Sequence, residues 1–207
     1  MREDPYKQFP SGFFSRADES SDASFYEPDR FVTHIDDEAI AAVGALYREL
    51  ALDGRVLDLM SSWISHFLEP PAELVVLGMN ERELQANSSA TERVVHDLNV
   101  DPTLPFEDGR FDAATCCVSI DYLVRPIDVA IEVSRVVRKG GLFCVTFSNR
   151  CFPTKAIRGW LALNDERRCR LVADYLRLAR GFDPPTIMSR TQPGRGDPLY
   201  AVVATVR

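Results

Sequence analysis

The chain has 207 residues, 45% of them hydrophobic, which is enough to bury one core of ordinary size and too few for two comfortable domains. A formal net charge of −7 at neutral pH leaves no global basic field to attract phosphate backbones, so nucleic acid is not an expected partner. No apolar run has the length of a signal-sequence core or a bilayer span, and the five cysteines are odd in number with no CxxC pair. Both features fit a cytoplasmic protein with reduced thiols and no membrane association.

Taken in chain order, residues 1–35 read as an extension. Its first 24 residues are rich in Ser, Asp and Glu but carry Tyr6, Phe9, Phe13 and Phe14, which either dock on the domain, over its site, or belong to a disordered tail. Residues 36–207 read as the domain itself. Asp36 or Asp37 caps a helix whose Ile40, Val43, Leu46, Tyr47 and Leu50 share one face. Five short β-rich runs follow: RVLDLM (55–60), LVVLG (74–78), RVVHD (93–97), FDAATCCV (111–118) and LFCVTF (142–147). Continuous apolar strands imply burial on both faces, and so a parallel sheet.

Helical segments are expected between these runs: a short one over Ser62–Phe67, stopped by Pro70 and Pro71; NERELQAN, with Asn80 and Glu83 in capping-box spacing; and PIDVAIEVSRVVRKGG, with Pro126 in its first turn and Arg138 and Lys139 at its negative end. A further helix spans about Asp165 to Arg180, with Leu171, Val172, Tyr175 and Leu176 inward. PTIMSR and LYAVVATV then flank the reversal TQPGRGDP, and two strands joined by such a turn pair antiparallel. The fold class is α/β: a doubly wound, mostly parallel seven-stranded sheet ending in an antiparallel hairpin.

That layout, together with the ordered motifs of residues 104–149, resembles the class I S-adenosylmethionine-dependent methyltransferases, in their small-molecule branch. LPF-x-DG-x-FD, the segment IDYL and the run E-x-x-R-V-x-[RK]-x-GG recur together in that family, and the likeness extends over roughly residues 36–207. Its implications are a Rossmann-like methyltransferase fold, S-adenosylmethionine as cofactor and methyl transfer to a small molecule.

Two departures stand out. Where the family commonly has LDLGCGTG beside the cofactor, this chain keeps Leu57, Asp58 and Leu59 and then replaces every glycine of the turn with Met60, Ser61, Ser62, Trp63 and Ile64. A non-glycine residue in left-handed geometry there costs about 1–2 kcal/mol. At the end of the second strand, where the family places an acid on the ribose hydroxyls, Gly78 stands, followed by Met79 and Asn80. Asn80 and Glu81 are candidate replacements, and Asn80 has a rival role as helix cap. Losing such a charge-assisted hydrogen bond costs roughly 1.5–3 kcal/mol.

The resemblance assigns a cofactor site to Asp58, Met60, Ser61, Ser62, Trp63, Gly78, Met79, Asn80, Asp97, Leu98, Cys117 and Val118, with Asp97 facing the adenine amino group. Ser61, Ser62 and Ser65 offer hydroxyls and helix-start N–H groups to a carboxylate. Trp63 either stacks on the cofactor or fills its place. His34 and Tyr122 are catalytic candidates; Tyr26, Asp121, Arg150 and Lys155 are substrate contacts. No metal is expected. A methyltransferase-fold binding or regulatory protein that has lost catalysis is the competing reading.

Overall fold

In the computed structural model, which describes residues 4–192, 194 and 196–207, the first strands form where the apolar runs place them. The helices α1 (Asp22–Tyr26) and α2 (Asp37–Glu49) precede β1 (Arg55–Leu59) and β2 (Glu73–Gly78); α3 (Glu81–Ala86), β3 (Glu92–Val95) and β4 (Phe111–Cys117) follow. The chain continues through α4 (Pro126–Val136), β5 (Val137–Phe147), α5 (Arg158–Leu161), α6 (Asp165–Ala179), β6 (Thr186–Ser189) and β7 (Tyr200–Thr205). The seven strands form one sheet in the order β3-β2-β1-β4-β5-β7-β6. The first five are mutually parallel, and β7 runs antiparallel between β5 and β6. The central strands are buried because hydrophobic clusters cover both faces of the sheet, one built with α4 and α6 and the other with α2.

Capping follows the sequence. The Asp36 side chain accepts from Ala39 N at 2.9 Å and starts α2, and Asn80 accepts from Glu83 N at 3.1 Å and starts α3. The C-terminal strands pair as the turn chemistry predicts, although Pro193 and Arg195 of TQPGRGDP lie outside the described residues.

Two expectations are corrected. Ser62–Phe67 is not a helix but an irregular loop. Its serines turn inward, Ser61 and Ser65 donating to Asp58 and Ser62 to Glu83. Local side-chain bonds of this kind compete with a helical ladder. The helix-start N–H groups expected for a ligand carboxylate therefore do not exist. Arg138 and Lys139 do not close α4 either, because the helix ends at Val136 and they belong to β5. Arg138 Nε donates to Asp112 Oδ1 on the neighbouring strand at 2.7 Å, which draws this segment into the sheet.

The extension packs on the domain. Tyr6, Phe9, Phe13 and Phe14 make an aromatic cluster whose Phe9 and Phe14 lie against Tyr175 of α6. Further on, Asp22 is buried and receives Arg16 Nη1 at 2.7–2.8 Å, Asn99 Nδ2 at 2.8 Å and Lys155 Nζ at 3.1 Å. Lys155 is fully buried, bound also by Asp18 at 3.1 Å and by the Ser20 carbonyl at 2.8 Å. Burial alone would raise the Asp22 carboxyl, but its three donors outweigh this and hold it below the usual carboxylate range. Removing one partner from such a cluster leaves an uncompensated buried charge, a loss of about 3–5 kcal/mol. Lys155→Met is expected to lower unfolding stability by that order in denaturant titrations and to expose residues before Asp36 to limited proteolysis; an unchanged cleavage pattern would remove the fastening role.

Candidate functional site

The carboxyl ends of β1, β2, β3 and β4 form one rim, where open α/β sheets bind ligands. The path of the chain after β1 shapes it. Met60 takes left-handed backbone geometry, φ 54°, in the position where the family pattern has its first glycine. Ser61 then lies across the end of β2, its N–H donating to the Leu77 carbonyl at 2.8 Å. A Cβ on Gly78 would collide with the Ser61 carbonyl oxygen and press on Leu84. The two departures seen in the sequence are thus one event: the rerouted turn occupies the space that a side chain at position 78 would need.

Asp58 holds that turn. Its Oδ2 accepts from Ser61 and Ser65 hydroxyls at 2.7 and 2.6 Å, and its Oδ1 from Thr115 at 2.7 Å. Burial raises its carboxyl against the pull of these three bonds.

Three cavities open at the rim. The first, of about 110 Å³, is walled by Gly78 at the end of β2 with Met79 and Asn80 after it, by Asp97 and Leu98 after β3, and by Met60, Ser61, Ser62, Val118 and Tyr122. Tyr26 and His34 of the extension close it from above. A second, of about 60 Å³, lies over Asp58, Trp63, His66 and Cys117. The third, of about 430 Å³, is bounded by Thr33, His34, Val118, Tyr122 and the segment Asn149–Pro153. Only the third reaches the ~300–1,000 Å³ usual for small-molecule sites.

Most of the sequence candidates converge here, with corrections. Lys155 is not a substrate contact; its ammonium is consumed by Asp18 and Asp22. Asp121 is on none of the three walls, is buried, and its Oδ2 has no partner among the described residues. Asp58 and Cys117 border the second cavity, not the first, and burial pushes the Cys117 thiol up to about 12. Trp63 does not face the first cavity, because its indole N–H donates to the Val32 carbonyl at 3.1 Å and its ring meets Phe31 edge-on. Asn80 is fully committed: beyond capping α3, its Nδ2 donates to Tyr26 O, Glu27 O and Asp29 Oδ1 at 3.0–3.2 Å. Arg150 borders the third cavity, exposed, with Asp197 at 3.8 Å.

His34 keeps one face in solvent and sets its ring edge-on against Phe152 at 5.2 Å. Burial of the other face, with Arg30 adding to it and Glu83 opposing, lowers the imidazole below its ordinary value. The Tyr122 hydroxyl accepts from Phe152 N at 2.9 Å, and burial raises it far above a phenol's range. It can donate a hydrogen bond but not act as a base. Asp97 Oδ1 accepts from Asn99 N at 2.9 Å and Val100 N at 3.3 Å.

Sequence reasoning missed Arg30, Glu83, Asn99 and Phe152, all on the first wall. Glu83 sits at capping-box spacing from Asn80, which already gives it a local role, and Phe152 lies between the cations Arg150 and Lys155. Arg30, framed by Phe25, Tyr26 and Phe152 at 4.7–5.8 Å, offered no signal of its own.

Against known proteins, residues 58–145 match the family described as a methyltransferase domain. That match spans 88 of the 207 residues. No curated relative matches it. Among solved structures it is similar to the cyclase SpnF, with 15% identity, a TM-score of 0.61, and 86% of this chain and 89% of that one covered. It is also similar to a Thermotoga maritima S-adenosylmethionine-dependent methyltransferase described as a possible histamine N-methyltransferase, with 16% identity, a TM-score of 0.60, and coverage of 82% and 90%. A third is the Burkholderia thailandensis 1,6-didemethyltoxoflavin N1-methyltransferase with bound 1,6-didemethyltoxoflavin and S-adenosylhomocysteine, with 17% identity, a TM-score of 0.60, and coverage of 82% and 79%. At such identities the structural likeness concerns the fold. Among the described residues no helix is long and apolar enough to cross a membrane, and no group of three or more His, Cys, Asp or Glu is placed to hold a metal ion.

Two outcomes follow from this geometry. Gly78→Ala is expected to destabilise by about 1–3 kcal/mol through overpacking against Ser61, read by denaturant unfolding; wild-type stability would mean the turn is free to move. For Asp121, burial outweighs the Arg168 charge and pushes its carboxyl up to about 8. The folded state then holds a proton that the unfolded chain releases near the ordinary carboxylate value of 3.8, so stability falls as pH rises from about 4 to about 8 and is level beyond. Asp121→Asn should flatten that segment of the melting-temperature profile.

Proposed function

We propose that the protein is an S-adenosylmethionine-dependent methyltransferase acting on a small molecule. The observation that carries this reading is that His34 and Val118 border all three cavities. A cofactor divided between the first two and an acceptor in the third would meet at these two residues. The fit of the chain to the cofactor rests on the first cavity. Met79 and Leu98 give it apolar walls at the ends of β2 and β3, and Asp97 retains a carboxylate at the position that would receive an adenine amino group. Met60 and Ser61 wall it on the β1 side.

When bound, S-adenosylmethionine supplies the methyl group as an electrophile. The chain's contribution is mainly positioning, which for well-oriented reactants is worth roughly 7–11 kcal/mol. The neutral imidazole of His34 can take a proton from an acceptor N–H or O–H. Tyr122 and Phe152 wall the acceptor side, with the Tyr122 hydroxyl able to orient the acceptor by donating to it. Tyr26, His34 and the rest of residues 22–34 form the roof that would exclude water.

The second reading, a methyltransferase-fold binding protein without catalysis, is favoured by one observation: the rerouted turn and roof leave the first cavity at about 110 Å³, below the usual range for a ligand of this size. Calorimetry with S-adenosylmethionine and S-adenosylhomocysteine separates the two. Binding of both is expected, and no heat up to millimolar ligand would overturn the enzyme reading. With an acceptor in hand, His34→Ala should cut turnover by about 10²–10⁴-fold. The wild-type activity should fall only below pH 6.5, since the imidazole titrates lower than its ordinary value.

A further inference from the structure

Within the proposed cofactor reading, on which it rests, we infer that Glu83 is the residue that receives the ribose hydroxyls, in place of an acid at the end of β2. Vicinal ribose hydroxyls in nucleotide-binding α/β folds are held by a carboxylate near a strand end. Position 78 cannot supply one, because even a Cβ there would meet the Ser61 carbonyl oxygen. The other carboxylates nearby are committed or misplaced. Asp22 is paired with Arg16 and Lys155, Asp97 is the carboxylate assigned above to the adenine amino group, and Glu81 is exposed and off the cavity wall. Glu83, in the first turn of α3, is 8% exposed and borders the same cavity as Gly78 and Met79.

Its two oxygens are each engaged once, Oε1 by Arg30 N at 2.6 Å and Oε2 by the Ser62 hydroxyl. An ionised carboxylate offers about four acceptor positions, so roughly one per oxygen is left for a diol. The same two contacts aim the group: the first ties it to the roof, the second to the rerouted turn. The turn that displaced the side chain at position 78 thus steadies its substitute five residues later.

The test uses S-adenosylhomocysteine, adenosine and 2′,3′-dideoxyadenosine with the full chain and with Glu83→Gln. Glutamine keeps both protein contacts, its carbonyl accepting from Arg30 N and its amide donating to Ser62, so the roof is retained; thermal melts of the two proteins verify this. Wild type should bind adenosine about ten- to a hundredfold more tightly than the dideoxy compound, and Glu83→Gln should erase that difference while leaving dideoxyadenosine affinity unchanged. A preference for adenosine that survives in Glu83→Gln overturns the inference. If S-adenosylhomocysteine binds but neither protein distinguishes the two nucleosides, the inference fails and the methyltransferase reading stands. If S-adenosylhomocysteine does not bind at all, both fall.

Discussion

The buried carboxylate of Asp58 fixes the geometry on which the whole site depends. By collecting hydroxyls from Ser61, Ser65 and Thr115, it bends the chain after β1 across the sheet edge instead of letting it enter a helix. Ser61 is thereby set on Gly78, position 78 loses its side chain, and the loop runs on to meet the extension through Trp63 and Val32. A carboxylate inside a protein is costly unless its lone pairs are filled, and three short hydroxyl bonds fill them without introducing a second charge. The neighbouring Met60 and Val118 adopt positive φ at 54° and 45°. For the β-branched Val118 this is a genuine outlier. Both border the first and second cavities, so the strain is held where those two meet.

The second constraint is the ionic fastening of the extension. Arg16, Asp18, Asp22 and Lys155 bring two cations and two anions together, three of the four side chains nearly or fully buried. Such clusters seldom add net stability over an apolar packing of the same volume, but they discriminate sharply against misplaced alternatives, since any slip strands a charge. Asn99 extends the discrimination by joining Asp22 to the Tyr122 carbonyl and accepting from Val124 N, which links the roof to the segment after β4.

The architecture was legible because burial on two faces writes itself into continuous apolar strands, and the order of helices and strands then leaves few topologies. Pro126, Asp36 and Asn80 marked helix starts for local reasons, and local reasons survive in a sequence. The failures have the opposite character. Ser62–Phe67 looked helical until Asp58 and Glu83, one before it and one some twenty residues later, took its serines. Lys155 reads as a substrate contact because nothing in NRCFPTKAIRGW records the acids of residues 18–22 that bury it. Glu83 and Arg30 reach the first cavity only once the extension has folded over the sheet edge, a long-range event without a local signature. The ordered motifs of residues 104–149 carried the family because they are contiguous. The roles of individual site residues depend on chain crossings that are not.

The roof is held to the domain by contacts of two kinds, hydrogen bonds to the sheet edge and a buried ionic cluster. Asn80, Glu83 and Trp63 are all bonded to residues 26–32, and residues 16–22 are held by the ionic cluster with Lys155, so no single contact carries the roof. Because those charges are mostly buried, added salt screens them little, so the extension should stay fastened from dilute buffer to high ionic strength.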